Sequence, residues 1–458
     1  IYQAIRRNAL LENVTVDLSK VTTATDAAKI QGKNTYTLMR GANNKLKFSD
    51  YAARYETFDG VYETGLRTDA TANSGTVTAT NVLYDINRFK DGRVTYTAAS
   101  TGEALGGYSA FGNTTTGNQL TVSGVTGTLA AAYGAQTAGP AGGSVNNKVT
   151  VAGTGTGSIA NVYGGAVTNA ANGGNVTGNT VTITGGKVTG SIYGGYTAGS
   201  GKTTGNAVNI GDGSAATLTA GTNLDNAVLY GGNKADDVTG NTLNVMVKDA
   251  KAQKAQNFEN YTFHLTDHIA ANKPKSGTID DTFTRNTGTM LTLANGFDGQ
   301  EADWSKVTVD TSKLSADKTL GAITLMKSTT ANKLKFSNYA AKNHAVSGDY
   351  EVVQRTDTNT GEANAVLIDV NRFKNGDVIY DGVNPNAKTY AGVSYGGNTA
   401  EKNIMTLTGI ASGNTVDYLS GGRSEGTAGG AVNNTVNLVG TGAGTLEADT
   451  ASTITPLA

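Results

Sequence analysis

Between Asn179 and Ile183 the chain reads Asn-Thr-Val-Thr-Ile, polar and apolar residues alternating one for one. Such alternation describes a strand with one face buried. The same kind of phrase follows Thr-Gly-Asn at Thr116, Thr177, Thr204 and Thr239. Between these words stands Tyr-Gly-Gly at Tyr163, Tyr193, Tyr230 and Tyr395, with weaker forms at Phe111 (FGN) and Tyr133 (YGA). From Phe111 to Tyr230 the steps are 22, 30, 30 and 37 residues. Gly-Asn and Gly-Gly supply the positive φ of tight turns, so the phrase reads turn, strand, Gly-Gly turn, strand. Short strands on such a period predict a β-solenoid, because one unit cannot bury its own apolar face. Val181, Ile183, Val188 and Ile192 are the expected core, with threonines facing water and equivalent tyrosines and asparagines forming ladders. A β-sandwich array fits less well, since its modules run near 100 residues and seldom repeat such short words. At about 20 to 25 residues and about 4.8 Å per coil, a fully stacked chain would make a rod on the order of 100 Å.

A longer repeat encloses the short one. Residues 44–54 (NKLKFSDYAAR) return at 332–342 (NKLKFSNYAAK), 86–92 (INRFKDG) at 370–376 (VNRFKNG), and 141–155 (AGGSVNNKVTVAGTG) at 428–442 (AGGAVNNTVNLVGTG). The offsets of 288, 284 and 287 make one unit of close to 287 residues, present about 1.6 times. Alternation places Leu46 and Phe48 inward, like Leu334 and Phe336, with Lys45 and Lys333 outward. The second copy stops where the first continues into its richest Tyr-Gly-Gly region, as in a fragment of a longer array.

Composition sharpens the fold class to all-β. The 458 residues include 69 threonines and 61 glycines but only 4 prolines and no cysteine, with a formal net charge of −1. This excludes a disulfide scaffold, a thiolate metal site, collagen and a nucleic-acid binder acting through bulk positive charge. No run approaches the roughly 20 apolar residues of a membrane helix, and no charged segment backed by an apolar one opens the sequence. Charge divides the chain: residues 104–233 hold only Lys148, Lys187, Lys202, Asp212 and Asp225. The division gives charged, elaborated coils at 1–100, regular Gly/Thr-rich coils at 101–248, a second charged stretch at 249–390 and glycine-rich coils at 391–458. Within the charged stretches, residues 48–58 and 248–260 are expected to hold short helices on the side of the stack.

The phrase GNTVTITGGKVTGSIYGG at 178–195 resembles the repeats of large bacterial autotransporter passengers, the type V secreted adhesins. NYTFHL at 260–265, followed by GTMLTL at 288–293, is similar to a spacer that punctuates them. The resemblance covers about half the chain. It implies a right-handed parallel β-helix with a few short helical or looped elaborations, exported through an outer-membrane barrel and held at, or released from, the bacterial surface. Its implied partners are a receptor or glycan on a host or bacterial surface and further copies of itself, without nucleic acid. Any membrane contact would lie in a segment outside this sequence, which carries no barrel-forming C-terminal segment.

Candidate chemistry is sparse. Residues 195–203 (GYTAGSGKT) suggest a phosphate loop, but Tyr196 stands where the motif needs its first glycine, so a turn between strands is expected. His264 and His268 have the i, i+4 spacing of helical metal ligands; in the strand-like phrase they sit in, they would lie roughly 13 Å apart. Carbohydrate-active β-helices need clustered carboxylates, and only Asp236-Asp237 and Asp280-Asp281 are adjacent. Arg88 and Arg372 recur in Asn-Arg-Phe-Lys, read as a pin with the phenylalanine buried and the basic residues bonding neighbouring coils. No residue is assigned a catalytic, cofactor or metal role. The expected function is a non-catalytic surface stalk presenting repeated binding surfaces. A self-assembling filament or surface-layer subunit and a carbohydrate-active enzyme are the alternatives.

Overall fold

The alternating phrases pair with their own equivalents. Lys148–Val151 lies parallel to Thr180–Ile183 with Val149 opposite Val181 and Val151 opposite Ile183. Gln119–Val122 flanks it on the other side, and Arg93–Tyr96 follows, in the same register. The computed structural model describes residues 8–17, 33–97 except 73, 102–269, 271–272, and 288–446 except 314–317, 320–321, 347, 381–387, 411, 414, 417, 425–427 and 441. Two compact units result: residues 1–209 with 219–243 and 256–260, and residues 210–218 with 244–255 and 261–458.

In the first unit each short repeat gives one strand to each of three parallel sheets. The second sheet contains Thr128–Tyr133, Ser158–Val167, Ser191–Thr197 and Val228–Gly232. The third contains Thr115–Thr116, Ser144–Val145, Val176–Thr177 and Thr203–Thr204. Val181, Ile183, Val188 and Ile192 are fully buried, as the alternation requires. The repeats run longer than 20 to 25 residues: equivalent asparagines are 27 to 35 apart. The extra residues enter turns, such as Gly155-Thr156-Gly157 and Gly185-Gly186, where backbone of one repeat approaches backbone of the last.

The charged stretches form strands, many paired antiparallel, where helices were expected. Among the described residues the only helical pieces are the 3-10 turns Leu11–Asn13 and Trp304–Lys306. Residues 48–58, expected to be helical, contain Arg54–Phe58, which pairs antiparallel with Tyr62–Thr68. Residues 248–260 contain the strands Ala250–Ala252 and Lys254–Gln256. The charges misled because on an edge strand they occupy the solvent side, as the exposed Glu56 does between the exposed Tyr55 and Thr57.

The first-copy sheet runs Lys33–Arg40, Asn81–Arg88, Tyr62–Thr68, Arg54–Phe58. In the second unit Ala322–Ser328, Ala365–Arg372, Tyr350–Thr356 and Lys342–Val346 follow the same order. Phe48, Leu334 and Phe336 are buried and Leu46 is partly so, with Lys45 exposed, which fixes the expected register. Parallel pairing then resumes in Asp377–Tyr380, Ile404–Leu407 and Thr435–Leu438.

Candidate functional site

One carboxylate in each antiparallel sheet is entirely enclosed. Glu63 in Tyr62–Thr68 has no exposed surface. Its Oε1 accepts from Asn87 Nδ2 at 3.0 Å and from the Ala110 amide, and its Oε2 from Ser109 Oγ at 2.8 Å and Asn113 Nδ2 at 3.0 Å. Glu351 repeats the cradle. It takes Asn371 Nδ2, the Tyr395 and Gly396 amides, Ser394 Oγ at 2.7 Å and Asn398 Nδ2 at 2.8 Å. A carboxylate has about four acceptor sites, and four donors fill them at Glu63. The cradle clasps sheet to loop. Sequence reading passed over it, although Tyr-Glu at 62–63 and 350–351 keeps the 288-residue offset.

Two side-chain ladders join the short repeats. The backbone N–H and Nδ2 of Asn118 both donate to Asn147 Oδ1, at 3.0 and 2.9 Å. Asn147 does the same to Asn179, Asn179 to Asn206, and Asn206 to Asn241. Each Nδ2 also donates to a backbone carbonyl, Phe89 O for Asn118 and Ser144 O for Asn179. Asn403 and Asn434 continue the pattern in the second unit, with Phe373 O in the place of Phe89 O. The two sequence words interlock here. A Cβ on Gly164 would meet Gly194 O at 2.4 Å, and one on Gly165 would meet Asn179 Oδ1 at 2.4 Å. The first glycine of Tyr-Gly-Gly therefore admits the next backbone, and the second admits the asparagine of Thr-Gly-Asn.

The tyrosines form the second ladder. Rings of Tyr133, Tyr163, Tyr193 and Tyr230 stack with centroids 4.7, 5.2 and 4.7 Å apart and planes within 8° of parallel. Tyr196 packs its edge against both Tyr163 and Tyr193. Burial, then the neighbouring phenols Tyr193 and Tyr196, push the Tyr163 hydroxyl up to about 12, and burial raises Tyr133 and Tyr193 too. The rings cover one another's faces, which leaves edges and hydroxyls for contact.

The residues singled out by sequence fall apart as chemistry. Residues 195–203 run out of Ser191–Thr197 into a turn where Gly199 and Gly201 crowd the carbonyls of Asn172 and Gly174. His264 lies on the strand Asn260–Thr266, with Nδ1 2.8 Å from Asp310 Oδ2 and Nε2 3.3 Å from Asn244 Oδ1. His268 stands beyond that strand in the following turn, so strand spacing does not describe the pair. Among the described residues no three His, Asp or Glu side chains gather as a metal site requires. Asp237 Oδ2 accepts from the Thr203 amide at 2.8 Å; Asp280-Asp281 lies outside the described residues. Phe89 and Phe373 are buried as expected. The arginines bond within their own sheet and turn: Arg88 donates to Lys90 O, Asp91 O and Tyr62 Oη, and Arg372 donates to Lys374 O and lies 3.6 Å from Asp349 Oδ2. Antiparallel pairing explains this, because each guanidinium lies over the ring of its cross-strand partner, Tyr62 or Tyr350. Lys374 does reach a neighbouring repeat, 3.5 Å from Glu401. Compared with family models, curated proteins and solved structures, the chain matches none of them.

Proposed function

We propose that this chain is a non-catalytic tandem-repeat scaffold, a β-solenoid stalk of the autotransporter-passenger type that displays repeated surfaces outside a bacterial cell. The observation that carries this reading is the asparagine ladder, in which each repeat is bonded to the next by the same atoms from Asn118 to Asn241. A chain that invests its buried polar groups in repeat-to-repeat bonds gains reach and stiffness. The saturated Glu63 and Glu351 cradles favour support over acid–base chemistry. A surface presented many times makes weak contacts sufficient, since linked sites act at high effective concentration.

The test couples shape to attachment. Small-angle scattering of the purified chain should give a largest dimension of about 60 to 80 Å, as for stacked repeats of 27 to 35 residues at about 4.8 Å each, unchanged on dilution. Beads coated with the chain should adhere to cells or immobilised glycans, with adhesion falling as the number of chains per bead falls. Cleavage of a polysaccharide by the purified chain, lost on a carboxylate-to-amide change, would replace this reading with the enzyme.

A further inference from the structure

A lysine, an asparagine and a glutamate stand in one row across three strands of the first-copy sheet. Lys33 of Lys33–Arg40 is the cross-strand partner of Asn87 in Asn81–Arg88, and Asn87 is the partner of Glu63 in Tyr62–Thr68. Directly opposed residues of antiparallel strands project from the same face, with Cβ atoms about 5 Å apart. Asn87 is 2 % exposed; its Nδ2 donates to Glu63 Oε1 at 3.0 Å, while its Oδ1 has no hydrogen-bond partner. The Lys33 amine lies 5.0 Å from the centre of the Tyr108 ring, one residue from Ser109, whose Oγ donates to Glu63. A primary amine and a carboxamide are thus neighbours on one face, and a buried carboxylate fixes the carboxamide. In the second copy Asn371 and Glu351 repeat the pair. There the offset of 287 between the two strand bulges brings Leu320 to the place of Lys33, so the amine is missing from the sequence.

We propose that Lys33 and Asn87 join in an intramolecular isopeptide bond, a spontaneous modification of the folded chain. Lys33 is exposed, so its ammonium yields a proton to solvent base. The neutral Nζ then attacks Asn87 Cγ. The Nζ–Cγ bond forms, the Cγ–Nδ2 bond breaks, and Nδ2 leaves as ammonia carrying a second proton from Nζ. Nothing is oxidised or reduced, and no co-reactant is consumed. Held as cross-strand neighbours, the two groups meet at an effective concentration far above that of any free amine. Burial of Asn87 keeps water, the competing nucleophile, away from Cγ. Glu63 fixes the plane of the carboxamide, and the new amide N–H inherits the Oε1 acceptor that Nδ2 gives up. The bond ties Lys33–Arg40 covalently to its neighbour in the sheet. It stands on this row of side chains and not on the display reading.

Intact-mass spectrometry of the purified full chain is the test. After incubation at mildly alkaline pH the folded chain should be lighter than its sequence by one ammonia, and proteolysis should release one branched peptide joining Lys33 to Asn87. Lys33→Arg keeps the charge but supplies no amine; with far-UV circular dichroism confirming its fold, it should lose both signals. The unsubstituted chain incubated in denaturant should show no branched peptide either, because the row exists only in the paired sheet. Ammonia is also lost when Asn-Gly closes to a succinimide, and the chain carries that pair at Asn172, Asn295 and Asn375. A loss that persists in Lys33→Arg, or a loss without the branched peptide, would therefore overturn the proposal. So would a folded chain that keeps its full sequence mass through the incubation.

Discussion

Removing one link of the asparagine ladder tests whether the repeats are held by polar continuity or by aliphatic packing alone. Asn179 makes four side-chain hydrogen bonds in a site closed to solvent. Its Oδ1 accepts from the Asn147 amide at 2.9 Å and Asn147 Nδ2 at 3.1 Å, and its Nδ2 donates to Ser144 O at 2.8 Å and Asn206 Oδ1 at 3.0 Å. In Asn179→Ala some partners keep alternatives. Asn206 Oδ1 retains the backbone amide of residue 179, and Asn147 Nδ2 retains Thr115 O and Ser144 Oγ. The Asn147 amide and the Ser144 carbonyl lose a partner in a site that water does not enter. At about 1 to 3 kcal/mol for each of the two buried groups left unpaired, the substitution should cost about 2 to 6 kcal/mol. Urea unfolding followed by far-UV circular dichroism measures it as a lowered midpoint, with hydrogen exchange at Asn147 accelerated. Lys148→Ala, one residue along and exposed, is the control and should cost under about 0.5 kcal/mol. A loss for Asn179→Ala below about 1 kcal/mol, or no greater than the control, would refute the argument that the ladder binds the repeats.

Gly165→Ala should destabilise by about 1 to 3 kcal/mol through overpacking against Asn179 Oδ1 and Ser144 Oγ. Gly60→Ala, at φ +68 with open space around it, should cost only the strain of about 1 to 2 kcal/mol; equal thermal shifts would contradict the distinction. Glu63→Gln and Glu351→Gln each turn an NH₂ toward groups that already donate, and each should lower stability by about 2 to 4 kcal/mol in denaturant melts. Because folding raises the Tyr163 hydroxyl from 10.0 to about 12, its contribution to stability is complete below pH 10 and is lost as pH climbs toward 12. Phenolate absorbance should show a late-titrating class of tyrosines in the native chain, reduced by Tyr163→Phe.

Much of the fold was legible because its signals are local. Alternation at Asn179–Ile183 and the Thr-Gly-Asn and Tyr-Gly-Gly words each describe a few consecutive residues, and parallel pairing aligns them as the periods suggested. What stayed hidden joins residues of different repeats. Nothing in Tyr163-Gly-Gly165 announces that its second glycine makes room for Asn179, because that contact exists only once the strands are paired. Glu63 reads as an ordinary solvated carboxylate until the loop holding Ser109 and Asn113 closes over it. The helices expected at 48–58 and 248–260 failed because a strand at the end of a sheet, antiparallel at Arg54–Phe58 and parallel at Ala250–Ala252, tolerates the same charged and polar mixture as a surface helix.

The ladder has a consequence for how such a chain can change over generations. Each asparagine gives to its successor what it receives from its predecessor, so the junction between any two short repeats is chemically the same. Unequal recombination that inserts or removes one whole repeat of 27 to 35 residues leaves every amide with an acceptor. A change of half a repeat would strand several of them in a dry interior. Inheritance can therefore adjust the length of this protein in whole steps.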